Sequence, residues 1–116
     1  MLDFYVYEKN TLVAHVWIDK ELNVHQENYN SDIAYNPILK PRTTIEQVMT
    51  FLESRCTSRH NAGINLILKQ LGLSEYNVME ILRITQGTMI EDFWWIRFAD
   101  QPELRWEDLP RARIFD

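Results

Sequence analysis

Cys56 and His60 are the pair of residues whose types and spacing most suggest catalysis. A thiol and an imidazole four positions apart can share one helical face, and the imidazole can then take the thiol proton. Such a pair also requires a third orienting group and an oxyanion hole, and the sequence identifies neither. A thiol at the end of an amphipathic helix is more often a small buried apolar group. We therefore assign no catalytic residue, and an enzyme that uses Cys56 stays an alternative.

Other signatures of catalysis and metal binding are missing from the sequence. With three glycines, the chain has no glycine-rich phosphate loop. The three histidines are far apart, and a single cysteine offers no metal-ligand spacing. Glu91 and Asp92 would point to opposite sides of an extended segment and are interpreted as solvated charge before a strand. We expect no cofactor, no metal and no enzymatic activity.

Arg55, Arg59 and His60 form the first candidate partner-binding group, on an expected exposed corner rich in hydroxyl and amide side chains. Arginine makes bidentate contacts to phosphates and carboxylates, so this corner could hold an anionic group of a partner. In the alternative interpretation, the corner is a solvated connection between two helices, and its arginines cap the carbonyl groups of the first helix.

Strand alternation gives a second candidate group, because successive side chains of a strand lie on opposite faces of the sheet. The side assigned to the core is apolar: Leu12, Ala14, Val16, Ile18, Trp94, Ile96 and Phe98. The opposite side is mainly aromatic and basic: Tyr5, Tyr7, Val13, His15, Trp17, Trp95 and Arg97. An open face of this composition is typical of an interaction surface, and all of these residues except Val13 are candidate partner-binding residues. Alternatively, the long loop, the C-terminal tail or a second copy covers this face.

Local patterns predict the elements that position these groups. Three strands are predicted in the first thirty residues: 4–7, 11–18 and 22–27. Lys9 and Asn10 form a predicted tight turn between the first two strands. Asparagine and proline punctuate residues 29–43, which are predicted to form a crossover loop. Residues 93–98 have the strongest strand signal and are expected to close the sheet.

Three helices are predicted between the loop and the last strand. Thr43 and Glu46 have the spacing of a capping box and begin the first helix. The first helix is predicted to end near Cys56, and the second to run from about Asn61 to the C-terminal cap Gly72. The third helix is predicted to begin at the cap residue Asn77 and to stop at Gly87.

This order of elements segregates strands from helices and predicts an α+β fold. We expect an antiparallel sheet of about four strands, three N-terminal and one C-terminal, packed on one side by about three helices. Residues 1–116 are predicted to form a single domain, with 99–116 as a charged C-terminal tail that contains one short helical turn. A chain with 46% apolar residues and this length needs no metal or disulfide to fold.

Composition restricts the classes of function. A net charge of −5, spread over both halves of the chain, argues against a general nucleic-acid binder. No run approaches the roughly 20 apolar residues of a membrane span, and the N-terminus lacks a signal pattern. A single cysteine cannot form an internal disulfide, so we expect a cytoplasmic protein.

Several short motifs occur in a characteristic order within residues 4–98: Val6-Tyr7, Leu12-Val13-Ala14, Leu52-Glu53-Ser54-Arg55, 67–73, 76–82 and Trp95-Ile96-Arg97-Phe98. This order resembles the N-terminal subdomain of HipA-type toxin kinases and the free-standing HipS-like proteins. The chain also resembles small uncharacterised Firmicutes proteins through Glu-Ser-Arg-Cys at 53–56 and Glu-Asp-x-x-Trp-Ile at 91–96. The first resemblance implies a subdomain that docks on a kinase and restrains it, with no activity of its own. The tail after residue 98 has no counterpart.

We therefore expect a non-catalytic protein-binding module, antitoxin-like or an accessory regulator of a HipA-class toxin kinase. The expected partner is a protein, a homo-oligomer stays open, and no direct contact with nucleic acid or membrane is expected. In a further alternative, the chain is a mobile-element, anti-CRISPR-like inhibitor of a nucleic-acid enzyme. Its acidic groups would then replace phosphates: Glu91, Asp92, Glu103, Glu107 and Asp108.

Overall fold

The computed structural model describes residues 2–29, 44–89 and 92–109. Its elements follow the predicted order: β1 Asp3–Glu8, β2 Thr11–Ile18, β3 Val24–Asn28, α1 Ile45–Ser54, α2 Ile64–Leu71, α3 Val78–Thr85 and β4 Trp94–Phe98. A short 3₁₀ turn at Trp106–Asp108 follows, as predicted for the tail. The strands form one antiparallel sheet in the order β3-β2-β1-β4. The predicted α+β fold is confirmed. Most of the predicted crossover loop lies outside the described residues.

One hydrophobic core lies between the sheet and the three helices. The sheet contributes fully or nearly fully buried residues from three strands: Phe4, Val6, Ala14, Val16, Ile96 and Phe98. The helices contribute Val48, Phe51, Leu52, Leu68, Ile81 and Leu82. The rings of Phe4 and Phe51 stack at 6.3 Å between centroids, which joins β1 to α1. Burying a large apolar side chain contributes roughly 1.5–3 kcal/mol, so this layer is the main source of stability.

An irregularity in β2 changes the predicted division of side chains between the two faces. Val6 pairs with Ala14 but Tyr7 pairs with Leu12, so Val13 is an extra residue in β2. Paired residues share a face, which places Leu12 on the side of Tyr7. Val13 and Ala14 are both fully buried in the core. The prediction of Leu12 in the core and Val13 on the opposite face is wrong, because strict alternation cannot detect a register shift.

Most helix caps lie within one residue of their predicted positions, and the start of α2 lies two residues later. Thr44 accepts from the backbone N–H of Gln47, and the Gln47 side chain accepts from the Thr44 N–H. This capping box lies one residue after the predicted box at 43 and 46. Gly72, with φ 76°, ends α2 as predicted, and Asn77 caps α3 through a bond from the Glu80 N–H. The first helix was predicted to end near Cys56, and its C-cap is Arg55. The second was predicted to start around Asn61, but its N-cap is Gly63, which makes no side-chain cap hydrogen bond.

The third helix ends before the predicted glycine. Its C-cap is Gln86, a non-glycine residue with φ 56°, and Gly87 follows with φ 66°. The Gln86 side chain donates to the Ile96 carbonyl and to Gln101, so tertiary hydrogen bonds hold the unfavourable backbone conformation.

Candidate functional site

The sheet face opposite the helices carries the larger candidate site. We call it the aromatic face, formed by Tyr5, Tyr7, His15, Trp17, His25, Trp95 and Arg97. Cross-strand pairing places these side chains together, since Tyr5 pairs with both His15 and Arg97, and Trp17 pairs with His25. The structure therefore brings together the six sheet residues that strand alternation selected, and it adds His25.

Direct ring contacts join the side chains of the aromatic face. The Tyr5 and His15 rings stack at 4.3 Å with an interplanar angle of 12°, and the Trp17 and His25 rings stack at 5.0 Å and 10°. His15 and Trp17 contact each other at 4.5 Å and are tilted by 31°. The guanidinium of Arg97 lies 4.7 Å from the Tyr5 ring centre. A continuous row thus crosses the sheet from β4 to β3, and each ring pair contributes about 0.5–1.5 kcal/mol beyond its burial.

Two aspartates hold the imidazoles of this row. His15 Nε2 donates to Asp3 Oδ1 at 2.6 Å, and His25 Nε2 donates to Asp19 Oδ2 at 2.7 Å. The bond from His25, followed by the backbone N–H of Asn23, holds the pKa of Asp19 below its ordinary value. Because each imidazole is bonded to a carboxylate and stacks on one neighbouring ring, these contacts restrain the geometry of the row before any partner binds.

His25, Asp3 and Asp19 are residues of this site that sequence reasoning missed. A signal for the two aspartates was present, since Asp3 lies two positions before Tyr5 and Asp19 two positions after Trp17. Residues two apart on a strand share a face. The position of His25 could not be found in this way, because it depends on the register between β2 and β3.

The expectation that Trp95 and Arg97 lie on an open face is wrong. Trp95 is 0% exposed, its indole N–H donates to the Lys9 carbonyl at 2.6 Å, and its ring stacks on Tyr7 at 4.4 Å. Arg97 is 8% exposed and donates to the Gln101 carbonyl. This end of the face is internal to the fold, and Tyr5, Tyr7, His15, Trp17 and His25 are the half-buried residues.

The described part of the C-terminal tail returns to the same end of the sheet. Trp106 donates its backbone N–H to the Asn10 side chain at 2.9 Å, and Asn10 donates to Glu107 at 3.0 Å. The Trp106 ring contacts Phe93 edge-to-face at 6.0 Å. The described part of the tail therefore contacts the β1–β2 turn and the residue before β4.

Arg55 is part of the core and does not belong to an exposed corner. It is 8% exposed, and its guanidinium donates to the carbonyls of Gly87 and Trp94 and to both carboxylate oxygens of Asp92. Asp92, predicted to be solvated charge, is thus the bidentate partner of a buried arginine. The reason is tertiary, since Arg55 and Asp92 are 37 positions apart in sequence.

Arg59 and His60 are exposed, as predicted, and line a groove of about 350 Å³ beside Glu53, Ser58 and Tyr76. The guanidinium of Arg59 lies 4.9 Å from the Tyr76 ring centre. The tyrosine hydroxyl donates to the Thr57 carbonyl, which fixes the ring. Arg59 and His60 could donate hydrogen bonds to an anion in this groove, but the Glu53 carboxylate in its wall would repel that anion.

The outer edge of β4 is closed to another strand. Its N–H groups at Trp94, Ile96 and Phe98 and its carbonyls at Trp94 and Ile96 all form hydrogen bonds. Their partners come from outside the strand: Arg55, Gln86, Asp92 and Gln101. A sheet edge with its backbone groups bonded in this way cannot take up an additional strand from a partner.

Cys56 is poorly suited to nucleophilic chemistry. It is 6% exposed, and burial raises the pKa of its thiol to about 12, so the reactive thiolate is strongly disfavoured. Its sulfur lies 3.8 Å from the carbonyls of Leu52 and Val78. Across residues 2–29, 44–89 and 92–109, no hydrogen bond joins Cys56 to His60, and no group of three or more metal-binding side chains occurs.

Within the same part of the chain, no helix has the length and apolar character required to cross a membrane. Comparison with family models, with curated proteins and with solved structures found no match for the chain.

Proposed function

We propose that this chain is a non-catalytic, cytoplasmic protein-binding module that regulates a kinase of the HipA class and docks on it through the aromatic face. The observation that carries the proposal is the row of half-buried rings at Tyr5, His15, Trp17 and His25, on the sheet face away from the helices. Side chains whose geometry is already restrained lose less conformational entropy on binding, so they suit an interface.

A protein is a better occupant of this face than a ligand that stacks on it. Nucleobases and sugars require free ring faces, whereas the Trp17 indole packs on both imidazoles and Tyr5 packs on His15 and Arg97. Partly exposed tyrosine and tryptophan are enriched in protein interfaces and at their energetic centres. The closed edge of β4 favours docking through the face over strand addition at that edge. The kinase class rests on the resemblance of residues 4–98.

Affinity purification from the native host tests this proposal. The tagged chain, its Trp17→Ala variant and its Leu66→Ala variant are compared, and co-purifying proteins are identified by mass spectrometry. Leu66 is 63% exposed on α2, away from the aromatic face, and is the matched control. We expect a HipA-class kinase with the parent chain and with Leu66→Ala, and about tenfold less or lower recovery with Trp17→Ala. Recovery of no such kinase, or equal recovery in all three samples, would count against the proposal.

The inhibitor of a nucleic-acid enzyme is the second candidate, because Glu103, Glu107 and Asp108 are exposed in the described part of the tail. Carboxylates in this arrangement can compete with phosphates for a basic channel. Under this reading, changing the three residues to lysine should abolish partner binding, whereas Trp17→Ala should have no effect. Under the first proposal, Trp17→Ala should abolish partner binding, whereas the three lysine substitutions should have no effect.

A further inference from the structure

The charged side chains that share the aromatic face are mostly acidic. Asp3 begins β1, Asp19 follows β2 and bonds His25, and Glu27 pairs with His15 across the β2–β3 ladder. The side chains of Asp3 and Asp19 are 45% and 28% exposed, and Glu27 is exposed. The positive side chain of this face, Arg97, is buried. A partner therefore meets half-buried rings surrounded by carboxylates.

We infer that the partner presents a basic segment to this face, with arginine or lysine side chains placed against Asp3, Asp19 and Glu27 around Trp17. This inference rests on the proposed function and specifies the chemistry of the partner. Charge complementarity of this kind guides association and excludes partners of the wrong charge.

Asp3 and Glu27 retain the most hydrogen-bonding capacity for such a segment. Asp19 already accepts from His25 and from the backbone N–H groups of Glu21 and Asn23, whereas Glu27 accepts only from the Tyr29 hydroxyl among the described residues. His15 occupies Oδ1 of Asp3, whereas a carboxylate can accept about four hydrogen bonds. Guanidinium groups bind carboxylates in a bidentate manner and pack against rings. Arg97 shows that rings of this face accept a guanidinium, since it lies over Tyr5 and donates to the Tyr7 hydroxyl at 3.4 Å.

Two other occupants are less compatible with the same charges. A nucleic acid would place its phosphates beside Asp3 and Glu27, and the resulting repulsion opposes binding. A second copy of the chain, face against face, would bring two sets of the same carboxylates together, which also costs energy. The acidic groups thus favour a basic partner over both.

The test measures binding of a fluorescein-labelled octa-arginine peptide by anisotropy, with octa-glutamate as the opposite-charge probe. Glu27→Lys is compared with Glu46→Lys, which makes the same change of net charge at an exposed position on α1, in the helix layer. We expect octa-arginine affinity to fall about fivefold or more for Glu27→Lys and less than about twofold for Glu46→Lys. Glu27→Gln, which retains an acceptor for the Tyr29 hydroxyl, should give an intermediate loss.

Equal losses for the two lysine variants, no binding of octa-arginine, or tighter binding of octa-glutamate would overturn the inference. Circular dichroism melting checks that Glu27→Lys is folded. If it is not folded, the octa-arginine affinity of Glu27→Gln is compared with that of the parent chain instead. Failure of the proposed function is measured separately. Recovery of a kinase that depends on Trp17, without a Glu27-dependent affinity for octa-arginine, would refute the inference alone. Glu27-dependent peptide binding without a co-purifying kinase would refute the proposed function alone.

Discussion

Replacement of Arg55 by alanine is expected to destabilise the whole fold, since its side chain connects three elements. The guanidinium donates to the carbonyls of Gly87 and Trp94 at 2.9 and 2.8 Å and to Asp92 through two bonds of 2.8 Å. These bonds join the end of α1 to the chain after α3 and to the start of β4. If Arg55 lay on an exposed corner, as predicted from the sequence, its replacement would not destabilise the fold in this way.

The cost of this substitution can be estimated from the individual bonds. The Asp92 side chain is 35% exposed, so the ion pair is screened and is assigned about 1 kcal/mol. The two carbonyl bonds are buried, and each oxygen that loses its donor costs about 1 kcal/mol or more. The total is about 3 kcal/mol, a large part of the roughly 6–17 kcal/mol expected for a chain of this length. The variant should fold with a melting temperature lower by about 10 °C.

Urea unfolding followed by tryptophan fluorescence measures this loss, with Arg59→Ala as the control. Arg59 has the same side chain four positions later, but it is exposed and contacts the Tyr76 ring, so its removal should cost less than about 1 kcal/mol. Arg55→Lys retains the charge without the planar fork and should recover less than half of the loss. A free energy of unfolding for Arg55→Ala within about 0.5 kcal/mol of that for Arg59→Ala would refute the reasoning.

Two other predictions concern the glycines and the thiol. Gly72 and Gly87 both have positive φ, but a Cβ at Gly87 would lie 3.3 Å from Arg55 Cβ, whereas that at Gly72 meets open space. Gly72→Ala should cost about 1 kcal/mol and Gly87→Ala about 1 kcal/mol more, and equal losses in urea unfolding would contradict a role for the close approach. Since burial raises the pKa of Cys56 to about 12 from 9.0, alkylation by iodoacetamide at pH 8 should be about a thousandfold slower in the folded than in the unfolded chain. Equal rates by mass spectrometry would restore the enzyme alternative.

The candidate site was predictable in composition but only partly in exposure. Alternation along the strands correctly grouped Tyr5, His15 and Trp17 on one face, because the period of a strand depends on its own residues alone. The same rule could not tell that β4 is buried on both faces, as the burial of Trp95 and Arg97 shows. Burial of an edge strand depends on where the following chain goes, and this is not encoded in the strand.

The sequence by itself determined the type and order of the elements and most of their ends. Gly72 and Asn77 mark helix ends through hydrogen bonds to residues at most four positions away, so a local pattern is sufficient to identify them. Only the tertiary structure decided which polar and aromatic side chains are internal. Arg55 donates hydrogen bonds to Asp92, 37 positions away in the sequence. Trp95 donates to the Lys9 carbonyl, 86 positions away. Such contacts depend on how the elements pack, and for that reason Arg55 forms part of the core while Trp17 is half-buried on the aromatic face.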